Sequence, residues 1–218
     1  MIDMRHNKQK ITTVSFDADG TLITPSFADL MWLEVLPQCV SDSWNIPLHD
    51  AKAKLFADYD SIGSQKMEWY DLSYWIKRYR LEILPKNMVA QYKAAVTLYP
   101  EVEEVLDSLK ERYDLIVVSN SARLFLDITT ESLKGYFKQT FSTVTDLGMM
   151  KGIPAYHAIC EKLNVRPYEI AHIGDSLELD YTRARKAGLK AYFLDRVSRR
   201  KGRYFVSNLK DFKLRLDG

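Results

Sequence analysis

Residues 16–22 read FDADGTL, and this stretch decides how the chain is understood. It ends an apolar, β-branched segment, Ile11 to Phe16, that has the character of a strand. Gly20 and Thr21 then break the pattern as a turn does. In an extended segment residues i and i+2 point the same way, so Asp17 and Asp19 can reach one site from the end of one strand. A hydrophobic core has no use for a pair of acids there, because a buried unpaired carboxylate is costly. A metal ion or a reaction accounts for the pair; a solvated Asp-Gly turn is the blander account.

The chain has 218 residues, 46% of them hydrophobic and 28% charged. That suits one globular domain, or one carrying an inserted module. A net charge of +2 does not by itself call for a nucleic-acid partner. Cys39 and Cys160 lie far apart and form neither a zinc spacing nor a disulfide framework, which fits a reducing compartment. Residues 1–10 are polar, with no apolar signal region, and no apolar run approaches a membrane span. The expectation is a soluble, cytoplasmic protein with no membrane partner.

Residues 24–97 read as a helical insertion of roughly four helices, placing the catalytic core in residues 1–23 and 98–218. All four tryptophans, Trp32, Trp44, Trp69 and Trp75, fall in the insertion, and core packing is their favoured role. From Tyr99 the pattern becomes strand–helix alternation. Strands are expected at Leu115 to Val118, Phe141 to Val144, Ile170 to Ile173, Leu189 to Leu194 and Tyr204 to Val206. Helices are expected from Pro100 to Arg112, Ala122 to Leu133, Pro154 to Leu163 and Glu178 to Ala187, the last stopped by Gly188. Repeated units of this kind predict an α/β fold with a doubly wound parallel sheet, which binds ligands beyond the carboxyl ends of its strands.

More chemistry falls at those ends. Ser119 and Asn120 follow one strand, where a hydroxyl either donates to a phosphate oxygen or caps the next helix. Asp175 follows another strand after Gly174, and Asp180 comes five residues later, where a helix dipole also welcomes an acid. Lys151 sits in a loop before Pro154. With Asp17, Asp175 and Asp180 ionised the edge carries −3, and a phosphate ester adds about −2. Each like-charge contact at ~4 Å costs ~4 kcal/mol at an effective dielectric of ~20. A divalent cation plus Lys151 supplies +3, and hard oxygen ligands suit Mg²⁺.

In this order (FDADGTL, VVSNS, a lysine, HIGDSLELD) the chain resembles the haloacid dehalogenase-like superfamily of phosphohydrolases. The resemblance implies a Rossmann-like core with a helical cap inserted between the first two motifs. It implies a nucleophile at Asp17, which forms an aspartyl-phosphate, and a general acid–base at Asp19. It implies Mg²⁺ held by the Asp17 carboxylate, the Asp19 carbonyl, Asp175 and Asp180, with Ser119, Asn120 and Lys151 gripping the phosphoryl oxygens. Gly152 stands where many of these proteins have proline, and Leu179 where many have asparagine. The expected activity is a phosphatase acting on a small phosphorylated metabolite. A mutase keeps both acids of the pair, whereas the dehalogenases lack the second, so Asp19 argues for phosphoryl transfer. Outside the superfamily, the run RVSRRKGR at 196–203 raises binding of nucleic acid or another anionic partner, with a solvated basic edge as the favoured reading. His172 reads as a structural strand-end histidine and Cys160 as core.

Overall fold

The computed structural model describes residues 10–217. The polar reading of residues 1–9 and the last glycine lie outside it. The sheet holds β1 (Thr13–Phe16), β2 (Asp114–Ser119), β3 (Gln139–Ser142), β4 (Ile170–Gly174), β5 (Lys190–Leu194) and β6 (Phe205–Val206). They lie in the order β3-β2-β1-β4-β5-β6, every neighbouring pair parallel. β1 is central, and its residues are all buried. The chain builds outward from β1 to β3, then returns to β4 on the other side of β1, which puts a topological switch point between β1 and β4. Phe16 pairs with Val117 and with Ile173, so the ends of these three strands open at one level.

Side chains along β2 alternate between two cores, as a sheet covered on both faces requires. Leu115 and Val117 join Phe16 under the helix Val102–Lys110 and the C-terminal helix Leu209–Asp217. Ile116 and Val118 join Tyr156 and Ile159 of the helix Ile153–Leu163 on the opposite face. This is the doubly wound α/β architecture expected from the alternation.

Between β1 and β2 the described residues form helices and turns and no strand beyond isolated bridges of Ile23 with Asp19 and Leu98. A continuous helix runs through residues 26–44, with a widened π-helical stretch at Leu30–Val35. That stretch closes just before Pro37, which has no N–H to give to the ladder. Leu48–Ile62, Leu72–Arg78 and Pro85–Gln91 complete the helices, around a separate core containing Trp75, Tyr79, Leu55 and Met88. An all-helical cap is thus inserted in a Rossmann-like sheet.

Two segments depart from the sequence expectation. The strand expected through Val144 ends at Ser142, and Thr143–Asp146 is a helical turn. The β-branched run favours a strand, but Ser142 Oγ accepts the Thr145 N–H at 3.2 Å and Asp146 Oδ2 accepts the Ser142 N–H at 2.8 Å. The second is Leu209–Asp217, a helix where the sequence reading assigns no element; Leu209, Phe212 and Leu216 form its buried stripe, with the Phe212 ring 6.1 Å from Phe16. Among the described residues no helix is long and apolar enough to cross a membrane.

Candidate active site

β1 delivers Asp17 to the switch point, and the Asp17 N–H donates to the Ile173 carbonyl at 2.9 Å, continuing the pairing with β4. The chain must then turn at once. The Gly20 N–H donates to the Ile23 carbonyl at 2.8 Å, and Gly20 takes φ +76°, in the left-handed region. A Cβ on Gly20 would fall 2.0 Å from Asp175 Oδ2, so this glycine both makes the turn and leaves room for the acid from β4.

Carboxylate oxygens of Asp17, Asp175 and Asp180 lie within 4.8 Å of one another. Acids far apart in the sequence thus converge beside Asp17. Lys151 is buried among them. Its Nζ donates to Asp17 Oδ1 at 2.6 Å and meets Asp180 Oδ1 at 2.5 Å, with the Val118 carbonyl at 3.3 Å. Asp180 is fully buried, and its second oxygen accepts the Ser176 N–H at 2.9 Å. Asp175 stands at the rim, exposed to solvent.

Charge governs the protonation of this group. Burial pushes Asp17 well above the usual carboxylate range, against the pull of Lys151, and the Asp180 and Asp175 charges add to the rise. Burial also raises Asp19, against the Ser121 hydrogen bond. Asp175 is pushed up to about 6 by desolvation and by the charge of Asp180. Asp180 goes the other way: burial would raise it, but Lys151 and His172 together hold it below the usual range. Burial lowers Lys151, but Asp17 and Asp180 outweigh it and hold the ammonium well above its ordinary range. The site thus holds more acid than a single lysine offsets. Clustered hard oxygens with a charge deficit of this kind fit Mg²⁺.

Ser119 and Asn120 reach the site rim, but their side chains already have partners. Ser119 Oγ accepts the Ser121 N–H at 3.1 Å, as a cap would. Asn120 Oδ1 accepts from Thr143 Oγ1 and from the Lys151 N–H, each at 2.7 Å, and so fixes the lysine loop. With Asp17, Asp19, Lys151, Asp175 and Asp180 they line a cavity of about 330 Å³. The cap closes it with Ser64, Gln65 and Tyr70.

Sequence reasoning passed over several neighbours. Ser121 Oγ donates to Asp19 Oδ2 at 2.5 Å; its only signal was the serine pair in SNS. His172 is structural, as expected, but it also braces the site. Its Nδ1 meets Ser15 Oγ at 2.8 Å, and its Nε2 lies 3.1 Å from both Tyr156 Oη and Asp180 Oδ1. Leu179, where asparagine is common, contributes its carbonyl, which accepts from Tyr156 Oη at 3.1 Å. The cap aromatics divide. Trp75 is core, whereas Trp32 and Trp69 line a second cavity beside Asp19. Arg196, first of the basic run, turns inward to the Gly20 and Thr21 carbonyls and to Glu101, so it holds the turn after β1.

A family model described as haloacid dehalogenase-like hydrolase matches residues 11–188. GMP/IMP nucleotidase YrfG of Escherichia coli is 22% identical over 170 residues, covering 77% of this chain and 76% of that protein. Among solved structures, a HAD phosphatase from Thermococcus onnurineus superposes with a TM-score of 0.84 at 23% identity, covering 95% of this chain and 99% of the other. A 2-haloacid dehalogenase from Pseudomonas syringae gives 0.66 at 18% identity, covering 95% and 98%. At such identities these structures speak to the fold.

Proposed function

The chain belongs to the haloacid dehalogenase-like hydrolases, and from that premise we propose that it is a Mg²⁺-dependent phosphatase acting on a phosphate monoester of a small metabolite. Residues 24–97 serve as the cap, over a core formed by 1–23 and 98–218. The observation that carries the reading is the second acid, Asp19, held by Ser121 beside Asp17 and raised by burial, hence suited to carry a proton. A dehalogenation needs no such donor.

An Asp17 oxygen attacks phosphorus, and the bond from phosphorus to the leaving oxygen breaks. Asp19 gives its proton to that oxygen, so the product leaves as an alcohol. The Asp19 carboxylate then takes a proton from water, the hydroxide attacks phosphorus, and the bond to Asp17 breaks to release phosphate. Lys151, bound to Asp17 and Asp180, pulls the nucleophile toward its ionised form against burial and faces the phosphoryl oxygens with positive charge. Ser119 and the Asn120 backbone add donors at the rim. Asp17, Asp175, Asp180 and the Asp19 carbonyl would hold Mg²⁺, which when bound would supply charge neutralisation for the incoming phosphate. The relative named as a nucleotidase supports a phosphomonoester as the substrate class.

Phosphate release from a generic aryl phosphate, measured with Mg²⁺ and again with a chelator, tests this. Turnover that needs the metal and disappears in Asp17→Asn is expected. Turnover undiminished by the chelator refutes the mechanism.

A further inference from the structure

A cavity of about 250 Å³ adjoins the candidate active site, and four of its nine lining residues are aromatic: Trp32, Tyr59, Trp69 and Tyr70. We propose that it seats a flat, uncharged aromatic ring of the leaving group. The favoured substrates are then phosphate monoesters whose alcohol carries such a ring, with a purine nucleoside monophosphate as the fitting class. This rests on the phosphatase reading above.

Position comes first. Asp19, Tyr70 and Ser121 line both cavities, so they form the boundary between them. On one side lie Asp17, Lys151 and Asp175, which face the phosphoryl group. Asp19 hands its proton to the leaving oxygen, so the alcohol must sit on the Asp19 side of phosphorus. The aromatic cavity is the space bordering Asp19 on the cap side.

The walls are fixed before any ligand arrives. Phe125 stacks on Trp32 with centroids 5.4 Å apart and planes 6° from parallel, leaving the indole to meet the cavity with its other face or an edge. Tyr59 abuts the same indole edge-on at 6.1 Å, and its hydroxyl donates to the Trp32 carbonyl at 3.1 Å. The Trp75 Nε1–H reaches the Trp69 carbonyl at 3.4 Å, tying the next wall to the cap core. Preformed aromatic faces bind a flat ring with little ordering cost.

Charge restricts the occupant further. No lysine or arginine lines this cavity, and two acids, Asp19 and Asp29, do. A second phosphate is therefore unwelcome on this side. The Asp29 carboxylate is exposed and has no hydrogen-bond or ion-pair partner among the described residues, so it is free to accept from a ring N–H or a sugar hydroxyl. The volume admits a fragment rather than a whole cofactor, which leaves the phosphate in the neighbouring cavity.

The test compares inosine monophosphate with ribose phosphate esterified at the same carbon, since the pair differs only by the ring. Wild-type kcat/KM should favour the nucleotide by about tenfold or more, the scale of one stacked base. In Trp32→Leu this ratio should fall toward one, and in Trp32→Phe, which keeps a ring, it should largely persist. Equal wild-type values, or a Trp32→Leu loss shared equally by both esters, overturn the proposal. If Trp32→Leu does not fold, the wild-type ratio decides alone. If no ester of any kind is hydrolysed, the phosphatase reading fails first. The cavity is then judged by binding: saturation transfer to the purine protons of inosine, absent in Trp32→Leu, supports it, and no transfer in wild type overturns it.

Discussion

Replacing Gly174 by alanine adds one methyl group at the last residue of β4, and the structure says where it lands. An ideal Cβ there lies 2.3 Å from Asp180 Cγ and 2.4 Å from Asp180 Oδ2. Asp180 cannot step aside cheaply, because it is fully buried and held by the Ser176 N–H, His172 and Lys151. Overpacking a core costs about 1–3 kcal/mol, and breaking a buried ion pair about 3–5 kcal/mol. Some relaxation of the loop offsets part of this, so a net loss of roughly 3 kcal/mol is expected. For a chain of this size that lowers Tm by about 6–12 °C. Displacing Asp180 and Lys151 by about 1 Å should also cut kcat about a hundredfold. Gly152→Ala is the control: Gly152 directly follows Lys151, but its Cβ meets nothing closer than 3.7 Å, and its φ of −177° is ordinary extended backbone. Thermal melts and phosphate release on the three proteins decide. A Gly174→Ala protein that melts with wild type would show that Asp180 does not occupy the space behind β4.

Asp19→Asn should lower kcat by about a hundredfold to ten-thousandfold with the fold intact by circular dichroism; full turnover would remove Asp19 from the chemistry. Trp75→Ala, at a fully buried cap position, should cost about 3–5 kcal/mol by denaturant titration. Glu101→Gln breaks the pair with Arg196 at 2.8 Å and should cost about 1–3 kcal/mol at neutral pH. Burial would raise Glu101, but Arg196 outweighs it and holds the carboxyl below its usual range. A depressed folded-state pKa stabilises above the unfolded value and is lost as pH falls through the folded one. The difference between wild type and Glu101→Gln should therefore fade in melts taken below the ordinary glutamate range.

How much of this was legible in the sequence follows from how local each cause is. The parallel sheet was legible because buried strands write themselves as short apolar runs, as in Leu115 to Val118. Asp17, Asp19 and Asp175 were legible because acids at the ends of such runs have no packing role. The turn at Thr143–Asp146 was not, because Ser142 and Asp146 decide it through side-chain bonds that override β-branched propensity. Leu209–Asp217 was not, because its apolar stripe is sparse and gains meaning only against Phe16 and Tyr192.

The residues missed at the site share one property: their partners are distant in sequence. Ser121 meets Asp19 across 102 positions, and Ser15 meets His172 across 157. Nothing in the immediate neighbourhood of either serine distinguishes it from a helix cap or a strand filler. The cap aromatics pose the same difficulty in another form. Trp32 and Trp75 both sit at helical spacing, yet one lines a cavity and the other fills a core. Which does which depends on Phe125, a core residue beyond β2 that takes one face of Trp32 and so joins the cap to the sheet domain. If Trp32 selects the substrate as proposed, that contact would also couple selection to cap position. A cap that swings on the chain near Ile23 and Leu98, where the two crossings pair, must carry Trp32 off Phe125 or carry Phe125's helix with it. The stack therefore opposes opening, and Phe125→Ala should loosen the cap while leaving the acids around Asp17 where they are.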